Sequence, residues 1–221
     1  IKVTGSVTGA SYTKSITYYA AAAKTLTASV MTPVLALGSN DSALSVTAVD
    51  AAGSTWGGTA YIVASAAADA TAVGGSATTP VACVYSSSKA LHYCPISAVA
   101  AGTGKFKVID AATVALATAT SNEVSVTSSV GTPASVKISF NKASYAPGET
   151  GYILITPLDA AGKALPAAAT ASVLASGGIT SNVGLTYAAA AVTLTGTTVT
   201  TAAYSGTTTV AGSQAIFFNA P

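Results

Sequence analysis

The chain has 221 residues, enough for two domains of about 100 residues, each with its own core. Half of its residues are hydrophobic, mostly Ala and Val, but only 7% are charged, against about 25% in an ordinary soluble domain. The net charge is +2, the Lys residues are scattered and Arg is absent, which leaves no basic stripe for a phosphate backbone and no bidentate base reader, so nucleic acid is not an expected partner.

No apolar run approaches the roughly 20 residues that cross a bilayer, so no transmembrane segment is expected. No leader with a basic start and an apolar middle is visible at Ile1, so a mature product or part of a longer chain is expected. A surface this poor in charge cannot rely on repulsion to stay dispersed and suits a protein that packs against copies of itself.

Along the chain, Thr13-Lys-Ser-Ile-Thr-Tyr-Tyr19 reads as a closing strand with no complete unit before it. Residues 1–23 are therefore expected to be the closing strands of a preceding repeat, or an N-terminal donor strand that completes a neighbouring subunit. Leu26-Thr-Ala-Ser-Val30 opens a first unit, residues 24–130, and lies close to the counterpart of Ala134-Ser-Val-Lys-Ile138, which opens a second, residues 133–221. The firmest sign of repetition is Leu44-Ser-Val-Thr-Ala-Val-Asp50-Ala-Ala-Gly53, which recurs as Ile153-Leu-Ile-Thr-Pro-Leu-Asp159-Ala-Ala-Gly162, an offset of 109 residues from Asp50 to Asp159. That period suits one sandwich of roughly 100 residues plus a linker. Ser121-Asn-Glu-Val-Ser-Val-Thr127 and Ser213-Gln-Ala-Ile-Phe-Phe-Asn219 are expected to close the two units in the same way.

Between these landmarks, alternation predicts strands. Phe106 and Val108 share one face and Lys105 and Lys107 the other, and Val136, Ile138 and Phe140 share a face in the second unit. Turn residues are dense, and strand-like runs recur roughly every 8–12 residues. The Ala-rich stretches Tyr18 to Lys24, Ala66 to Ala70 and Ala188 to Ala191 are short and flanked by Thr, Val and Gly, and are read as strand or loop.

Cys83 and Cys94 are the only cysteines. Pairing them folds residues 80–96 into a hairpin with Val84 opposite Tyr93, Tyr85 opposite His92 and a polar Ser-Ser-Ser-Lys tip. The short loop is worth roughly 2–3 kcal/mol in the chain-entropy model. A metal site with His92 as third ligand is the alternative, but it lacks a fourth ligand and a familiar spacing. The second unit has no equivalent cysteines, so the hairpin is an addition and the best candidate for a contact surface.

His92, the only histidine, is expected as a half-exposed strand residue beside the disulfide; no nucleophile elbow accompanies it, and an enzyme is not expected. Asp50 and Asp159 are expected to open turns by accepting backbone N–H bonds. A calcium site would need Asp41 or Glu149 from an adjoining loop to complete it, so no metal or other cofactor is expected. Asn40-Asp-Ser42 fits the N-glycosylation pattern and is expected in a loop. Trp56 is expected to pack, with stacking on sugars as the alternative.

Tyr145-Ala-Pro-Gly-Glu-Thr150, an apolar strand, and then Asp159-Ala-Ala-Gly-Lys163 resemble the opening of a bacterial immunoglobulin-like repeat. The resemblance covers residues 133–170 well and 24–60 more weakly, where Gly38-Ser-Asn-Asp41 stands in for Pro-Gly-Glu. It implies an all-β fold of tandem immunoglobulin-like β-sandwich domains, in an extracellular protein of the cell surface similar to surface-layer proteins. The expected function is structural: self-assembly into a surface layer or filament. An adhesin stalk that binds cell-envelope glycans, and a pilin that exchanges residues 1–23, are the alternatives.

Overall fold

The computed structural model describes residues 2–4, 9, 11–14, 18–147 and 149–166, and beyond these the backbone of four further strands. The strands in chain order are β1 (Lys2–Thr4), β2 (Ser11–Thr13), β3 (Thr25–Val30), β4 (Val34–Ala36), β5 (Gly38–Val49) and β6 (Tyr61–Ala64). After the helix α1 (Ala67–Ala72) come β7 (Val81–Ala82), β8 (Val84–Ser86), β9 (Leu91–Ala98), β10 (Gly102–Ile109) and β11 (Val124–Ser129). The remainder are β12 (Ser135–Phe140), β13 (Thr150–Leu158), β14 (Thr170–Ser172), β15 (Leu185–Thr186), β16 (Thr193–Thr195) and β17 (Gln214–Asn219). The fold is all-β, and among the described residues no helix is long and apolar enough to cross a membrane.

Residues 24–130 form two facing sheets. One has the order β3-β5-β9-β8 and is antiparallel throughout. The other has the order β4-β11-β10-β6-β7, with β4 parallel to β11 and the rest antiparallel. Period-2 alternation fills the space between them. Leu26, Leu44, Val46, Cys94 and Ile96 are buried on the first sheet, and Leu35, Ile62, Phe106, Val108 and Val126 on the second. Burying side chains of this size contributes about 1.5–3 kcal/mol each. Ala28, Ala43, Ala48, Ala64 and Ala98 are buried with them, so the abundant alanine is core material here.

One Ala-rich stretch departs from expectation. Ala66 to Ala70, read as strand or loop, caps and begins α1. The cause lies elsewhere in the chain: a Cβ at Gly102 would fall 2.2 Å from the Ala72 carbonyl oxygen, and one at Gly104 would fall 2.7 Å from that of Asp69. The bare backbone of β10 therefore admits the helix, and the Lys105 N–H donates to Asp69 Oδ1 at 2.9 Å. Tyr18 to Lys24 is irregular, as expected, whereas Ala188 to Ala191 lies outside the described residues.

Beyond residue 130, β12 pairs with β13, and the sheet continues as β12-β13-β17-β15. Leu26 faces Ala48 and Val136 faces Pro157, so in register Leu26 corresponds to Val136, two residues beyond the sequence match. The expected equivalence of the closing strands is not reproduced. β11 joins β10 and β4 in the second sheet, whereas β17 lies beside β13 in the sheet of the opening strand, with Ile216 opposite Ile153 and Phe217 opposite Tyr152. Val136 is half-buried, while Ile138 and Phe140 are 52% and 58% exposed.

Candidate functional site

The strand β8 turns back into β9 in the register anticipated, Val84 opposite Tyr93 and Tyr85 opposite His92, with Cys83 bonded to Cys94 across the same pair of strands. Both sulfurs are consumed in that bond, which removes them as metal ligands. The tip at Ser87, Ser88 and Lys89 is exposed, as is Val84 on the outer face at 69%.

His92 corrects its expectation. It is fully buried, because His92, Cys94 and Ile96 alternate onto the inner face of β9. Its Nε2 lies 2.8 Å from the Gly58 carbonyl, which can only accept, so Nε2 carries the proton. The ring sits between Tyr85 and Trp56, with centroids 4.8 Å and 5.6 Å away. Trp56 is itself buried, and its backbone N–H donates to Ala48 O, so it packs in the core and offers no ring face to a sugar. His92 Nδ1 and Trp56 Nε1 are buried without a hydrogen-bond partner.

An apolar cleft of about 340 Å³ opens between β6 and β9, lined by Ile62, Ala64, Val81, Ile96 and Phe106. Ser39 and Asp41, both exposed, stand at its rim.

Asp50 and Asp159 occupy the ends of β5 and β13 and make the same four turn bonds. The N–H groups of Ala52 and Ser54 donate to Asp50 Oδ1, and those of Ala161 and Lys163 donate to Asp159 Oδ1, all at 2.9 Å. In the backbone, Gly53 N–H donates to Asp50 O and Asp50 N–H to Ser54 O; Gly162, Asp159 and Lys163 repeat this. The glycines hold φ of 77° and 72°, which other residues adopt only at a cost. Both carboxyls titrate below the ordinary value. For Asp50 the N–H of Ala20 is the largest influence, with burial opposing it and Ser54 and Ala52 assisting. For Asp159 burial pushes upward, but the Lys163 N–H, the Ser129 hydroxyl and the Ala161 and Val130 N–H groups together outweigh it.

The expected partners of a calcium site fall at the wrong ends of the strands. Asp41 stands near the start of β5 and Asp50 just beyond its end, about 30 Å away at the rise of an extended chain. Glu149 precedes β13 and Asp159 follows it in the same way. Glu149 is already engaged: Lys142 Nζ donates to it, and the Ala146 N–H donates to its Oε2 at 3.0 Å. Among the described residues no three His, Cys, Asp or Glu side chains converge.

Asn40 also moves from loop to strand. Gly38, Ser39 and Asn40 pair with Ala98, Ser97 and Ile96, ahead of a register shift at Leu44, so this stretch is not a stand-in for the Pro-Gly-Glu turn. Asn40 Nδ2, the atom a glycan would join, donates to Ala36 O and Gly38 O at 2.9 Å and to Ile96 O at 3.3 Å. No signal in the sequence marked Asn122, whose amide holds the opening strand of the unit at Ala28. Comparison of the chain with models of known protein families and with curated proteins gives no match.

Proposed function

We propose that the chain is a non-enzymatic structural protein of the cell surface, built from tandem immunoglobulin-like sandwiches and assembling with copies of itself into a surface layer or filament. The observation that carries the architecture is strand order. In residues 24–130, β3-β5-β9-β8 reads as A-B-E-D and β6-β10-β11 as C-F-G, the division of an immunoglobulin sandwich, with the short β4 and β7 added at the edges. The Asp turn repeated in residues 133–166 supports a second unit of the same kind. Strand β1 pairs with β2, and Ala20, which donates to Asp50, lies 109 residues before Ser129, whose hydroxyl lowers the titration of Asp159; this supports residues 1–23 as the close of a like unit over a donor strand.

The disulfide supports an oxidising, extracellular setting. Assembly is supported by scarce charge and by Val81 and Val84, each exposed within the added segment 80–96. One edge is guarded without charge, which leaves the faces for contact there: Asn122 closes β3, and Pro95 removes a donor from β9 where β8 has ended. Electron microscopy of the native protein on, or shed from, its cells tests this reading. A regular sheet or filament is expected; isolated stalks that bind glycans would replace it with an adhesin.

A further inference from the structure

The turn bonds described above use one oxygen of each aspartate. We propose that the Asp-Ala-Ala-Gly turn is also a docking surface for the exit segment of the unit before it, with Oδ1 closing the turn and Oδ2 taking a donor from the incoming chain. This rests on the two-unit reading of the chain and not on its assembly.

At the first turn the bond is formed: the Ala20 N–H donates to Asp50 Oδ2 at 2.9 Å. Ala20 precedes Ser129 by the same 109 residues that separate Asp50 from Asp159, so the two incoming segments hold equivalent positions. At the second turn the Ser129 hydroxyl and the Val130 N–H are near enough to the Asp159 carboxyl to hold its titration down. Asp159 is 1% exposed, and its Oδ2 receives no bond of ordinary geometry. A buried carboxylate oxygen without a donor is costly, so capture of one of these neighbours is favoured, as at Asp50. The same joint is held by Lys163 Nζ, which donates to Thr103 Oγ1 at 3.1 Å, and by Pro166, whose Cγ would lie 3.7 Å from a Cβ at Gly131. A divided carboxylate thus couples the turn of one unit to the direction from which its predecessor arrives.

Asparagine separates the two tasks, since its single oxygen can keep the turn while Nδ2 cannot accept. Amide hydrogen exchange on the full chain is the measurement. In Asp50→Asn, exchange at Ala20 is expected to rise about tenfold, with Ala52, Ser54 and the core amide of Val108 unchanged. In Asp159→Asn the same is expected at Val130, with Ala161 and Lys163 unchanged. Ser129→Ala, which leaves the turn untouched, is expected to loosen 129–131 alone. Unchanged exchange at Ala20 and Val130 overturns the proposal, and so does equal acceleration at the turn and core amides, which would mark a purely structural aspartate. Failure of these shifts in a protein that still forms lattices sinks this inference alone; the expected shifts in a protein that never assembles sink only the assembly reading.

Discussion

Asn122 holds Ala28 by both of its backbone groups. The Ala28 N–H donates to Asn122 Oδ1 at 2.9 Å, and Asn122 Nδ2 donates to the Ala28 carbonyl at 3.0 Å, across 94 residues of chain. Ala28 lies in the middle of the edge strand β3, so the amide fills the place that a neighbouring strand would take. The same contact ties the opening strand of one sheet to the approach of the closing strand in the other.

Asn122→Ala leaves both Ala28 groups unpaired. The first unit is expected to lose about 2 kcal/mol in urea unfolding. The freed edge is expected to raise aggregation in light scattering. An unchanged midpoint would mean that water replaces the amide at no cost.

Reducing the disulfide, or replacing both cysteines with Ser, is expected to cost the first unit about 2–3 kcal/mol. Trp56 is the only tryptophan and lies in the cluster with His92, so its fluorescence reports on this unit alone. Hydrogen exchange at Ile155 reports on the second, which is expected to stay unchanged. Equal losses in the two units would contradict a hairpin added to one of them.

Acid is expected to weaken the fold through Asp50, Asp159 and Asp110, all of which titrate below the ordinary 3.8 when folded. At Asp110 burial pushes upward, but the Thr118 hydroxyl and the Ala119 and Thr118 N–H groups prevail. The unfolded chain then takes up protons first, so their contribution is complete above 3.8 and is lost as pH falls through the lower folded values. Urea midpoints measured from about pH 5 to about pH 2 should fall steadily, and less steeply in Asp110→Asn. A flat profile would show that the turns hold equally well with protonated acids.

Gly102→Val is expected to lift α1 from β10, because even a Cβ there would stand 2.2 Å from the Ala72 carbonyl oxygen. Overpacking of this kind costs about 1–3 kcal/mol. The readouts are the urea midpoint and exchange at Lys105, whose N–H bonds Asp69. Unaltered exchange would show the helix to be dispensable to the strand.

What the amino-acid sequence determined by itself was local or covalently bounded. Asp50 and Asp159 close their turns within four residues, so Asp-Ala-Ala-Gly is enough to specify them. Cys83 and Cys94 set the register that places Tyr85 opposite His92, because a covalent link between two strands leaves the pairing little choice. Alternation about Phe106 and Val108 named an inner face for the same kind of reason. Only the tertiary structure decided what covers each face and edge. His92 is buried because Trp56 closes over it, Ala67–Ala72 is helical because Gly102 and Gly104 make room, and β3 is sealed because Asn122 arrives from the far end of the unit. Each of these depends on a segment distant in the chain, and short-range spacing carries no record of which distant segment will come to rest there.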